Sequence, residues 1–127
     1  MKKLLLLMSV FITSQSFSQV FWESRSTAFA NVRGVLKISI ADENNLWLEA
    51  YDGTTPTNTI FEYAKSSDSG ETWSNGTINI PGLVGGTSAT TSICTLKAIS
   101  GSTCFLGIAD GGNPALAGLY KTTDGGT

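Results

Sequence analysis

Histidine is absent from this sequence, so any chemistry it performs rests on carboxylates, hydroxyls, two cysteines and a few cations. Triads, proton shuttles and metal sites that need an imidazole are excluded within the chain. Glu49 and Glu62 are the first candidates, because they flank a loop over residues 52–59. If that loop closes symmetrically, they sit opposite each other on neighbouring strands, with Cβ atoms ~5 Å apart. Two carboxylates that close repel, and the pKa of one rises. Such a pair suits acid–base catalysis or cation binding. The plainer reading is two solvated glutamates at a sheet edge, put out of register by a bulge.

The second constellation is the run Ser66-x-Asp68-x-Gly70-x-Thr72-Trp73. A carboxylate at Asp68 accepts backbone N–H groups of its own turn. Gly70 tolerates a positive φ that a side chain would resist. The Ser66 and Thr72 hydroxyls tie down remaining backbone groups, and Trp73 offers a large apolar surface to hold the turn on a sheet. A calcium loop would need a late Glu and more oxygen ligands, which the spacing lacks. No metal and no cofactor are expected.

These residues need elements to position them. Residues 35–40, 46–51, 60–65 and 73–80 alternate as four strands, joined by polar or Gly/Pro turns. Three further strands are expected near 92–99, 103–109 and 117–122. The run from Lys65 recurs from Lys121, with Thr122, Asp124 and Gly126 in place of Ser66, Asp68 and Gly70. Upstream, Tyr51-Asp52-Gly53 matches Ala109-Asp110-Gly111, and Trp47 falls on Phe105. Two repeat units follow, at about 35–80 and 92–127. The expected fold is all-β, with about two four-stranded antiparallel blades.

The repeated turn resembles an Asp-box, also called a BNR repeat. All five defining positions stand in the first copy, and the second holds Thr122, Asp124 and Gly126. The resemblance implies a sialidase-like or sortilin-like β-propeller over about residues 35–127, with residues 19–127 as a partial ring. It implies a structural role for the boxes, away from the ligand face. Two blades cannot close such a ring, so the chain is expected to be the N-terminal part of a longer protein. A sialidase of this group uses an arginine triad, the first in an Arg-Ile-Pro motif. Beyond the leader only Arg25 and Arg33 are present, in Ser-Arg-Ser and Val-Arg-Gly, and neither fits. The expected function is therefore a non-catalytic binding or scaffold module, with carbohydrate or a cell-surface protein as partner. An Asp-box glycoside hydrolase, sialidase-like or xyloglucanase-like, is the alternative, and an assembly factor the third.

Met1-Lys2-Lys3, an apolar run over 4–12 and a polar run over 13–18 have the three parts of a secretory signal peptide. The apolar run is too short to cross ~30 Å of hydrocarbon. Its style, with the loop composition, is similar to secreted Bacteroidetes proteins that carry a type IX sorting domain. The expected location is secreted or cell-surface. Loss of Lys2 and Lys3 leaves six basic residues against ten acidic, a net charge of −4, which gives no electrostatic case for nucleic acid. Of the tryptophans, Trp47 and Trp73 fall in strand patterns and are expected between sheets rather than as sugar platforms. Trp22 precedes the first strand. A turn at Gly101 pairs Cys104 with Ala98 and leaves Cys94 ~13 Å away, out of disulfide reach. Two buried free thiols are expected. The leader is expected to be cut before Gln19: intact-mass measurement of the exported chain should give an N-terminus at Gln19, and a mass retaining Met1 would refute the cleavage.

Overall fold

The computed structural model describes residues 22–30 and 32–127; the leader expected over 1–18 lies outside them. The chain is all-β. Its strands are β1 (Arg33–Ile40), β2 (Leu46–Asp52), β3 (Thr59–Ile60), β4 (Glu62–Ser66), β5 (Ser74–Thr77), β6 (Asn79–Ile80), β7 (Leu83–Val84), β8 (Thr87–Ser88), β9 (Thr91–Ala98), β10 (Cys104–Asp110) and β11 (Gly118–Thr122), with one 3-10 turn at Pro114–Leu116. One antiparallel sheet has four strands in the order β1-β2-β4-β5, and the other has three in the order β11-β10-β9. The first unit forms a four-stranded sheet, and the second forms a sheet of the three strands expected near 92–99, 103–109 and 117–122. Two short pairs, β3–β8 and β6–β7, complete the strands; β3 falls between β2 and β4 in sequence, and β6, β7 and β8 fall between the two sheets.

Two expected strands are divided, and one pair of residues divides both. Phe61 interrupts 60–65 and Ile78 interrupts 73–80. Ile78 N–H donates to the Phe61 carbonyl at 2.8 Å, and Phe61 N–H turns outward to Gly86 O at 3.0 Å. Past this point the chain leaves the sheet, and β6 pairs with β7 instead. Phe61 is fully buried at the branch. The fourth strand also starts one residue late, at Ser74, because Trp73 belongs to the preceding turn.

Each unit carries a bulge at the same place. In the first, the register slips between Val35 and Lys37; in the second, Thr95 and Ile93 take consecutive partners on β10. Leu36 and Cys94 are the extra residues, 58 positions apart, and an extra residue reverses which face the following side chains take. This explains a departure from expectation: Cys94 is exposed, while Cys104 is buried and pairs with Ala98 as expected.

The sheets stack face to face. Trp47, Tyr63, Ile93, Leu96, Ala98, Cys104 and Ile108 fill the space between them, joined by Phe61, Ile78 and Ile80. Trp47 is 2% exposed, and its indole lies 5.3 Å from the Tyr63 ring. Burial holds the Cys104 thiol up at about 11. At neutral pH and without denaturant, iodoacetamide should alkylate Cys94 and spare Cys104 until the chain unfolds; equal labelling of both would contradict this packing.

Candidate functional site

Glu49 and Glu62 do not meet. Tyr63, not Glu62, stands opposite Glu49, so the two glutamates project from opposite faces of the sheet. The symmetric loop closure does not occur, because β4 begins at Glu62 after the break at Phe61. The bulge at Leu36 gives each glutamate its own cation. Arg33, before it, shares a face with Asp52 and Glu62; Lys37, after it, faces Glu49 directly across the ladder.

On the outer face, Arg33 Nε lies 3.3 Å from Glu62 Oε2 and Arg33 Nη1 lies 3.3 Å from Asp52 Oδ1. Asp52 also accepts the backbone N–H groups of Thr54 and Thr55 and the Thr54 hydroxyl. The Thr54 bonds, chiefly the hydroxyl, lower its pKa. The second unit repeats this corner without the charge pair. Thr91 replaces Arg33 and donates to Asp110, which also accepts the N–H groups of Gly112 and Asn113. The alignment of Asp52 with Asp110 was the sequence signal for this shared corner.

On the inner face, Glu49 is fully buried. Lys37 Nζ donates to Glu49 Oε2 at 2.7 Å and to the Ile93 carbonyl at 2.7 Å. Ile93 immediately precedes the second bulge, where the ladder is disrupted and a carbonyl is free to accept. Glu49 Oε1 has no hydrogen-bond partner among the described residues. Burial raises the Glu49 pKa, and the Lys37 ammonium offsets part of that rise.

The two repeated turns carry matching hydrogen bonds. In the first, Ser66 Oγ donates to Asp68 Oδ1 at 2.7 Å and accepts Gly70 N–H at 2.9 Å. Thr72 donates to Asp68 through both its N–H and its hydroxyl. Trp73 is half-buried over Gly70 and donates its indole N–H to the Gly70 carbonyl at 2.9 Å. It therefore packs on its own turn, not between the sheets. In the second turn, Thr122 Oγ1 donates to Asp124 Oδ1 at 2.6 Å and accepts Gly126 N–H at 3.0 Å. Each turn is also tied to the neighbouring hairpin, by Ser69 N–H to Asn44 O and by Gly125 N–H to Ser102 O. The Thr72 and Ser66 donors hold Asp68 at about 2, and the Thr122 hydroxyl lowers Asp124.

What the sequence did not signal is that the second turn is a docking point. Tyr63 OH and Lys65 Nζ both donate to the Gly125 carbonyl, each at 2.9 Å. The Lys65 ammonium also lies 5.5 Å from the centre of the Trp47 ring. Trp47 Nε1 donates to Ser100 O at 2.9 Å, and Ser39 Oγ accepts Ala98 N–H at 2.8 Å. Beside this seam, a cavity of about 310 Å³ opens between the sheets, lined in part by Trp47, Tyr63, Leu106 and Tyr120.

Among the described residues, no group of three His, Cys, Asp or Glu side chains is placed to hold a metal ion. No described helix is long and apolar enough to cross a membrane. Trp22 is fully exposed. Comparison of the chain with protein-family models, with curated proteins and with solved structures returned no match.

Two outcomes are expected. Lys37→Met strands the buried Glu49 carboxylate and should cost ~3–5 kcal/mol, most of it recovered in Lys37→Met/Glu49→Leu; urea titrations of the three proteins measure this, and a non-additive recovery near zero would count against the pair. The depressed Asp68 pKa stabilises the fold fully above the ordinary aspartate value of about 3.9, and that contribution fades as pH falls through about 2. Asp68→Asn should flatten this acid limb of the stability profile; an unchanged limb would mean the turn does not hold the carboxylate.

Proposed function

We propose that the chain is part of a secreted or cell-surface β-propeller that acts as a non-catalytic binding or scaffold module. The observation that carries this reading is the repeated unit itself. Two antiparallel sheets stack face to face, each with the same bulge, the same Asp corner and the same Asp-box turn, and the first sheet clamps the turn of the second. In this reading the two stacked sheets are neighbouring blades of a ring, which further units of a longer protein would complete. Export through the leader, with a type IX sorting domain further along, belongs to the same proposal.

The non-catalytic part rests on where the carboxylates go. Glu49 is neutralised by Lys37 in the interior, Glu62 and Asp52 share Arg33, and Asp68 and Asp124 bond within their own turns. An enzyme of the glycosidase type needs two carboxylates facing one substrate across a gap of ~5–10 Å, and these carboxylates are already engaged elsewhere. The partner class proposed is carbohydrate or a cell-surface protein. The chain should release no chromophore from 4-nitrophenyl glycosides or sialosides; turnover that disappears in Glu49→Gln or Glu62→Gln would overturn the reading.

A further inference from the structure

One ammonium is shared between the two sheets. Lys37 Nζ donates to Glu49 Oε2 within the first sheet and to the Ile93 carbonyl of the second, each at 2.7 Å. The two acceptors differ in kind. A backbone carbonyl accepts at every pH, whereas a carboxylate attracts an ammonium by charge only while it is ionised. The Glu49 side chain is 0% exposed and that of Lys37 is 30% exposed, so burial weighs on the carboxylate more than on the ammonium. Glu49 Oε1 has no hydrogen-bond partner among the described residues, which leaves the contact with Lys37 to offset that burial. Of the other titratable groups facing the pair, Tyr63 stands directly opposite Glu49 on β4, and Cys104 of β10 lies in the same core. Burial raises both, which keeps them neutral throughout the acid range. β9 and β3 also pack here. The buried residues of β9 (Thr91, Ile93, Leu96 and Ala98) and both residues of β3 do not titrate. Arg33, Asp52 and Glu62 lie on the opposite face of the sheet.

We infer that Lys37 and Glu49 form an acid-released latch between the two sheets: protonation of Glu49 frees Lys37 from the Ile93 carbonyl and loosens the contact of β1 with β9. The proton goes to the carboxylate, which becomes a neutral acid that costs less to bury. The ammonium then loses the charge that drew it inward and turns toward water, and the carbonyl loses its donor from the other sheet. Both partners sit where a ladder is locally disrupted, Lys37 just after the bulge at Leu36 and Ile93 just before the bulge at Cys94. A second bond crosses the same joint, from Ala98 N–H to Ser39 Oγ at 2.8 Å, and it reports the opening. Burial raises the Glu49 pKa above its ordinary value, and Lys37 offsets part of the rise. As pH falls through that raised value, the folded chain takes up a proton that the unfolded chain does not yet bind. Glu49 therefore adds stability to the fold over the interval in which the latch opens. The response is local release, not acid unfolding, and it is distinct from the Asp68 contribution, which fades toward about 2. The inference does not depend on the propeller reading, because both partners lie within the contact between these two sheets.

The test is an NMR titration of the full chain, carbon-13 labelled at the glutamate carboxyls and at the isoleucine carbonyls, from neutral pH down to the ordinary glutamate value of about 4.3. The Glu49 carboxyl and Ile93 carbonyl shifts should follow one curve, with a midpoint above that value. Across the same midpoint, protection of the Ala98 amide against exchange, relative to its intrinsic rate at each pH, should fall about tenfold, the scale of one lost hydrogen bond from a charged donor. Glu49→Gln fixes the side chain neutral, so the Ile93 shift and the Ala98 protection should hold their acid values throughout. Glu62→Gln, on the opposite face, should leave the titration unchanged. An Ile93 carbonyl that stays flat while Glu49 titrates, an Ile93 titration that persists in Glu49→Gln, or an Ala98 protection that does not change overturns the inference. So does a Glu49 carboxyl that stays ionised down to the ordinary glutamate value. If Glu49→Gln does not fold, the comparison of the two shifts in the natural sequence decides by itself. None of these results bears on the glycoside assay, so the propeller reading stands or falls independently.

Discussion

The Gly125 carbonyl is the point on which the arrangement of the two sheets depends. It accepts from a phenol and an ammonium that project from the same face of β4, two residues apart. A hydrogen bond from a charged donor contributes about 1.5–3 kcal/mol, more than a neutral one. Its geometry here is demanding. Gly125 holds φ at 83°, and a Cβ there would lie 2.2 Å from Lys65 Nζ. The Tyr63 ring is confined on both sides, since a Cβ on Gly76 or on Gly126 would come within 2.5 and 2.6 Å of it. Three glycines and two donors thus set how closely the sheets approach. Along the same seam Trp47 is buried, and Ser39 and Lys37 reach β9.

The bulge is the second organising device. One extra residue in β1 changes the face of every side chain on either side of it. Arg33 is thereby sent to the outer face and Lys37 to the inner one. The same insertion in β9 places Cys94 outside and disrupts the ladder next to Ile93, whose carbonyl Lys37 binds. A defect in one sheet therefore supplies an acceptor to the other. The Lys37–Glu49 pair, its carboxylate buried and its ammonium partly exposed, sits across this contact. Burial of the carboxylate is costly and one of its oxygens has no partner among the described residues, so the pair is weak evidence of net stabilisation.

Divergence between the two units falls mainly on side chains at the contact between the sheets, and the local turns are kept. Lys65 over Trp47 is repeated as Lys121 over Phe105, at 5.5 Å in each case. Tyr63, which clamps a turn, is replaced by the exposed Leu119, and Glu49 by Gly107. Phe105 lacks the N–H through which Trp47 reaches Ser100. The faces are thus alike in shape and different in chemistry.

The sequence alone determined what depends on nearby residues: the all-β class, most strand positions, the hairpin at Gly101 that separates Cys94 from Cys104, and the hydroxyl–carboxylate–glycine turn at Ser66 and Thr122. Each of these is settled within a few residues by alternation, turn chemistry and positive φ. Tertiary structure decided the rest. A one-residue bulge at Leu36, which no residue type announces, gave Glu49 and Glu62 separate cations in place of each other. The break at Phe61 and Ile78 depended on which partner each backbone group found. Trp73 folded onto its own turn because Gly70 offered a bare surface and a carbonyl. The role of Gly125 as an acceptor arose from Tyr63 and Lys65, some sixty residues away in the chain, and no local pattern encodes a contact that only the packing of two sheets creates.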